Sequence, residues 1–139
     1  MNILIDTNVA LDALLERTPF YAAAAKVLSL STLGVRIFVS ASAITDIYYI
    51  SRKQTGSKKT AMELLKRLLL NVGAATVSGA EIRRAIALDW GDFEDAVQYA
   101  AGESLAVDYI VTRNPADFSS SPIEAVTPDQ FIRRVTGLE

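Results

Sequence analysis

Cysteine and histidine are both absent from the 139 residues. The first absence excludes disulfides, thiolate zinc sites and a cysteine nucleophile. The second removes Ser-His-Asp triads, imidazole proton shuttles and His-ligated metals. Long hydrophobic runs are missing as well. Mean hydropathy is positive, yet the longest uncharged stretch, Leu68 to Ala80, has only 13 residues and includes Asn71, Gly73, Thr76, Ser78 and Gly79. That is too short and too polar to span a bilayer, so no membrane partner is expected. The chain opens Met1-Asn2-Ile3-Leu4-Ile5-Asp6 without a basic leader region, which places the protein in the cytoplasm as an expectation. Any catalysis must therefore run on carboxylates, hydroxyls, amides, lysine or arginine.

What remains is a globular composition. Half the residues are hydrophobic, with 14 bases against 16 acids and a net charge of −2. The length predicts one domain, residues 1–139, with a core of ordinary size. No internal repeat, low-complexity tract or linker divides it.

Strand and helix signals alternate along the chain. Ile3-Leu4-Ile5 is a short apolar run followed by Asp6-Thr7-Asn8, residue types that favour helix starts. A helix to about Arg17 is predicted, interrupted by Thr18-Pro19, then an Ala-rich helix from Phe20 to Leu33 closed by Gly34. Arg36 to Val39 reads as the second strand, with Ser40 or Ser42 capping a helix that carries Ile44, Ile47, Tyr48 and Ile50. Ser57 opens an amphipathic helix containing Met62, Leu64, Leu65, Leu68 and Leu69. Ala74 to Val77 is the third strand expected, and Glu81 to Asp89 a further helix. Asp92 can cap the next, whose apolar stripe is Phe93, Ala96, Val97 and Ala100. Tyr109 to Thr112 is apolar enough for a strand buried on both faces, and Ile123 to Val126 is a weaker one. Thr127-Pro128-Asp129-Gln130 is a capping box with proline at the first helical position. The fold class predicted is α/β: a three-layer α/β/α sandwich around a mainly parallel sheet.

Charge is unevenly placed. Ser51 to Arg67 holds six bases (Arg52, Lys53, Lys58, Lys59, Lys66, Arg67) and one acid, Glu63, for +5, while the rest of the chain has eight bases and 15 acids, for −7. Such a patch can track a phosphate backbone or serve simply as a solvated helix face. Arg52, Lys53, Lys58 and Lys59 are the candidate residues for such a backbone, with Tyr48 and Tyr49 nearby for stacking on bases.

The acids carry the stronger signal, because α/β folds bind ligands beyond the carboxyl ends of their strands. Asp6 ends the first strand, and Asp117 follows the Tyr109–Thr112 strand by a short turn. Asp46 lies one turn into the third helix among Ala43, Ile44, Ile47 and Tyr48, where burial would be costly. Asp92, Glu94 and Asp95 crowd a helix start, with Asp92 and Asp95 on one side. Each acid taken alone also reads as a cap or turn former. Taken together, without His or Cys, they call for a hard cation held by oxygen, Mg²⁺ or Mn²⁺.

Four segments resemble the PIN domain family: Ile3 to Val9, Ala43 to Ile47, Asp92 to Val97, and Asp108 to Asn114 with Asp117-Phe118. The phrase from Asp92 through Phe118 is the most specific, and is similar to the branch containing VapC-type toxins and related predicted nucleases. The resemblance implies a Mg²⁺- or Mn²⁺-dependent ribonuclease leaving a 5′-phosphate and a 3′-hydroxyl. It implies a homodimer and, for the toxin branch, a small antitoxin partner. Asp6 matches the first acid, Asn8 the supporting polar residue and Asp95 the third acid, with Asp92 a neighbour. Asp46 stands where the family usually has Glu. The fourth position lies between Asn114, where many members have Asp, and Asp117 three residues on. Asp6 and Asp95 are the expected metal ligands. Asp46 and Asp117 complete the catalytic set, and Asn8 and Thr112 fix carboxylate orientation. The competing readings are a PIN-fold binding module that has lost activity through Asp46 and Asn114, and an Asp6-based phosphoacceptor or phosphatase. Asn8 weakens the latter, since no second acid stands two residues on to protonate a leaving group.

Overall fold

The fold was obtained as a computed structural model, which describes residues 1–137; the last two positions of the expected 1–139 domain lie outside the described residues. Five strands, β1 (Asn2–Ile5), β2 (Arg36–Ser40), β3 (Val72–Ala75), β4 (Tyr109–Val111) and β5 (Glu124–Val126), form one sheet in the order β3-β2-β1-β4-β5. Every neighbouring pair is parallel. Among the described residues seven α-helices flank them: α1 (Thr7–Leu14), α2 (Tyr21–Ser29), α3 (Ala41–Thr55), α4 (Lys58–Asn71), α5 (Gly79–Leu88), α6 (Phe93–Ser104) and α7 (Pro128–Thr136).

Strand alternation creates the two helix layers. Ile3, Ile5, Ile37, Val39, Val111 and Val126 point into a core shared with Val9, Leu11, Val27, Ile47, Leu68 and Phe131, contributed by α1, α2, α3, α4 and α7. Their intervening neighbours Leu4, Phe38, Ile110 and Ala125 face the other way, against Tyr99, Val107, Phe118, Leu88 and Trp90. Both sheet faces are covered, as an all-parallel sheet requires. The predicted α/β/α sandwich is therefore the observed one. Among the described residues no helix is long and apolar enough to cross a membrane.

Several boundaries differ from the expectation, each for a local reason. The predicted Phe20–Leu33 helix becomes α2 plus a 3-10 turn over Leu30–Leu33. The Ser29 hydroxyl donates to the Lys26 carbonyl (2.6 Å) and Thr32 to the Ser29 carbonyl (2.8 Å), and such local bonds compete with the α ladder. Gly34 closes the turn at φ 89°. The third strand begins two residues early, at Val72, because α4 runs straight into it. Gly73 pairs with Phe38, and a Cβ at Gly73 would lie 2.8 Å from the Phe38 ring. The glycine thus marks a close approach inside a strand. Of the stripe expected on α6, Ala96, Val97 and Ala100 are buried but Phe93 is exposed.

Arg113, two residues past the end of β4, ties that strand to α1. Its guanidinium Nε lies 2.8 Å from Asp12 Oδ2, and Asp12 is 1% exposed. The cation also sits 4.1 Å from the centroid of the Phe20 ring. Burial raises the Asp12 carboxyl more than Arg113 and Arg17 lower it, so the pair fixes geometry rather than adding net stability. Arg113→Ala should destabilise the protein toward the lower end of roughly 3–5 kcal/mol, since Arg17 stays 3.7 Å from the stranded carboxylate. Urea unfolding checks this; a change no larger than that of an exposed-arginine control would show that the pair does not anchor β4.

Candidate active site

The chain leaves β1 toward β2 on one side, while β4 lies on the other. This reversal opens a crevice at the strands' carboxyl ends, where parallel sheets place ligands. Asp6 and Thr112 stand at its two lips. Asp6 occupies the position before α1 but its side chain makes no capping bond. It accepts instead from Thr112 Oγ1 at 2.9 Å, across the β1–β4 seam. Thr112 Oγ1 in turn accepts from the Asn114 amide at 3.1 Å. Asn114 Nδ2 donates to Asp117 Oδ1 at 3.0 Å. One hydrogen-bonded chain therefore runs from the first expected acid to the fourth position. The Asn114 carboxamide thus holds the Asp117 carboxylate.

The remaining acids come from helices. Asp92 caps α6 by accepting from the Asp95 amide at 3.0 Å, so its capping reading holds even as it faces the crevice. Asp95 follows in the first turn. Asp46 reaches the cleft from α3 and is exposed, which corrects the expectation of a costly buried carboxylate. The buried line of α3 is Ala43, Ile47 and Ser51, and Asp46 lies on the flank beside it.

Asp6, Asp46, Asp92, Glu94, Asp95 and Asp117 all line one cleft of about 410 Å³, together with Thr7, Asn8, Ile50 and Gln98. Six carboxylates meet with no lysine or arginine among the lining residues. Glu94, Thr7 and Gln98 were not among the candidates. Glu94 was masked by sitting in a helix's first turn, where acids are ordinary. Gln98 carried only a weak signal, a carboxamide within the otherwise largely apolar stretch Ala96 to Ala101. A second cleft, lined by Trp90, Ser119 and Ser120, adjoins the first through Asp92, Asp95 and Asp117.

The crowding has an electrostatic cost. Burial, and then the charges of Asp92, Asp6, Asp117 and Glu94, push the Asp95 carboxyl up to about 7. Removal from water and the charges of Asp46, Asp92 and Asp6 raise Glu94 as well. Among the described residues no three acids form a closed cage around a point. The basic residues sit elsewhere: Arg52 and Lys53 end α3, Lys58 and Lys59 begin α4, and Tyr49 beside them is 63% exposed. Arg52 stands six residues beyond Asp46 on the same helix, about 9 Å of rise away.

A family model described as PIN domain matches residues 2–116. The chain belongs to the PIN domain family. Two solved structures share the PIN fold of this chain. VapBC2 from Rickettsia felis, bound to a DNA fragment from its promoter, superimposes with a TM-score of 0.69 at 15% identity, covering 91% of this chain and 98% of the other. A toxin–antitoxin complex from Klebsiella pneumoniae gives 0.68 at 21% identity, covering 91% and 97%. No curated protein matches the sequence.

The raised Asp95 carboxyl fixes the sign of a pH effect. In the folded protein it binds a proton up to about pH 7, whereas the ordinary aspartate value is 3.8. Folding thus takes up protons between these limits, and stability should fall as pH rises from about 4 to 7 and level off above. The full effect is at most about 4 kcal/mol before solvent screening in the open cleft. Asp95→Asn should flatten that slope in metal-free thermal melts and raise the melting temperature above pH 7. Parallel pH profiles for wild type and variant would show that the PIN cleft is not strained.

Proposed function

We propose that this PIN domain is a Mg²⁺- or Mn²⁺-dependent endoribonuclease, the toxin of a toxin–antitoxin pair. The observation that carries the reading is the set of six carboxylates lining one cleft with no cationic side chain among them. Mutually repelling acids are kept together in a protein where a cation relieves them. The donor set, all oxygen, fits a hard divalent ion. The open arrangement fits Mg²⁺ in particular, which keeps several waters and takes only one or two protein carboxylates. Asp6 and Asp95 would hold it. Bound there, the ion would acidify a water and offset charge on the phosphoryl oxygens.

The chain's own groups supply the rest. Thr112 holds one Asp6 oxygen and leaves the other to the cleft. Asn114 holds Asp117 in the same way. Asp46 or Asp117 takes the proton of the water that attacks phosphorus. The new oxygen–phosphorus bond forms as the bond to the 3′ oxygen breaks, and that oxygen takes up a proton from solvent, leaving a 5′-phosphate and a 3′-hydroxyl. Asn8 lines the Asp6 side of the cleft. Arg52, Lys53, Lys58 and Lys59 track the RNA backbone beyond the acids, where their charge does not cancel the site. The cytoplasm, where RNA is available, is the location this activity requires.

The two solved neighbours are toxin–antitoxin assemblies, which supports a small antitoxin protein as a partner, with a second copy of the chain as the other. A groove of about 430 Å³ between α1, α2 and α4, lined by Leu14, Leu28, Leu64 and Leu68 together with the polar Glu16, Arg67 and Asn71, offers an interface and holds no converging acids.

RNA cleavage should require Mg²⁺ or Mn²⁺ and stop on chelation. Asp6→Asn and Asp95→Asn should each lower turnover by roughly 10²–10⁴-fold with the fold intact. Activity persisting in excess chelator would exclude the metal mechanism. Metal binding without cleavage would favour the inactive binding module instead.

A further inference from the structure

Two buried oxygens at the cleft have no partner within the protein. Gln98 is 2% exposed and Thr7 is 8% exposed. Gln98 Oε1 and Thr7 Oγ1 make no hydrogen bond, and both residues line the acidic cleft. The other unpartnered buried atoms are Asp12 Oδ2, Arg113 Nε and Ser51 Oγ. The first two face each other at 2.8 Å as an ion pair, and Ser51 lies outside the cleft lining. The orphaned groups thus gather where the acids do. Buried polar atoms in native folds are satisfied, and those that are not have a reason, an absent water, ion or ligand among them.

Their neighbours decide the chemistry of what satisfies them. Gln98 stands three residues after Asp95 on α6 and shares its face. Thr7 follows Asp6 directly. Gln98 Oε1 is therefore one more acceptor among acceptors. A phosphate oxygen brings no donor to such a group, whereas water bound to a divalent cation is a strong donor. We infer that Gln98, assisted by Thr7, is a positioning residue for the hydration shell of a divalent cation held between Asp6 and Asp95. This rests on the metal-site reading above and adds to it the uncharged groups that orient the ion's waters. The carboxamide turned over would present Nε2 as a donor, which suits a phosphate; Gln98→Leu would then leave Mn²⁺ affinity measured without phosphate unchanged.

The test uses the full chain without RNA, at about pH 8, above the Asp95 value of about 7. Mn²⁺ affinity is measured by titration calorimetry, and melting temperature is measured in metal-free buffer. Gln98→Leu should weaken Mn²⁺ binding by about 10–100-fold, the range for groups that orient ligands. Its metal-free melting temperature should hold or rise, because the substitution removes an unpaired amide. Gln98→Glu, which keeps the acceptor, should retain Mn²⁺ binding. Thr7→Val, nearly isosteric, should weaken it in the same direction as Gln98→Leu and serves if the latter does not fold. Unchanged affinity in Gln98→Leu and Thr7→Val would overturn the inference alone, leaving the metal site standing. Loss of binding in Gln98→Glu would overturn it too, because an acceptor at this position would then not serve the ion. A wild-type chain that binds no Mn²⁺ would remove the metal-site reading and this inference with it.

Discussion

The hydrogen bond from Thr112 to Asp6 closes the seam between β1 and β4, and the rest of the site depends on where that seam lies. β1 is central, buried on both faces by Ile3, Leu4 and Ile5, each fully inaccessible. Its carboxyl end cannot move without disturbing both cores. The reversal of strand order beside it opens the crevice, and Asp6 is the first residue past the strand. A cap in its place would have turned its carboxylate back onto α1. Thr112 turns it outward instead, and passes the restraint on through Asn114 to Asp117.

The acids arrive from four separate pieces of chain, which is why their repulsion is a tertiary property. Asp46 comes from α3; Asp92, Glu94 and Asp95 from the start of α6; Asp117 from the turn after β4; Asp6 from β1. No local preference brings them together. What holds them is the apolar sheet beneath and the Asp12–Arg113 tether beside it. Stability is drawn from the core and spent at the cleft. Such a local conflict within an otherwise consistent fold is what a functional site looks like in physical terms. The basic residues stand apart on the end of α3 and the start of α4, so their charge does not cancel that of the cleft.

Much of this was legible in the sequence because it is local or periodic. The alternation of Ile3-Leu4-Ile5, the capping box at Thr127 and the Ser57 cap all appear as read, with Ser57 Oγ accepting from the Thr60 amide at 3.1 Å. The acids were legible as types at strand ends and helix starts. Their environments were not. Asp46 was expected to be buried because its neighbours in sequence are apolar, yet the helix turns it onto an exposed flank. Gly73 stood out in the sequence only as a break in an uncharged stretch, because the ring of Phe38, which requires it, lies 35 positions away in the chain. Gln98 and Thr7 passed as ordinary polar residues, because a missing hydrogen bond is invisible until the surroundings are assembled. Glu94 was seen but assigned no part, since an acid in a first helical turn has a sufficient local explanation.

The central claim is that the cleft's acids are assembled for a cation and strained without one. The most direct measurement is proton release when Mn²⁺ is added to the metal-free protein near pH 7, followed by calorimetry in buffers of different ionisation enthalpy. With the Asp95 carboxyl raised to about 7, the account predicts release of roughly half a proton per bound ion. Asp95→Asn should bind the ion more weakly and release almost none. Binding by the wild-type protein without proton release would contradict the account, because the acids would then be neither crowded nor the ion's ligands.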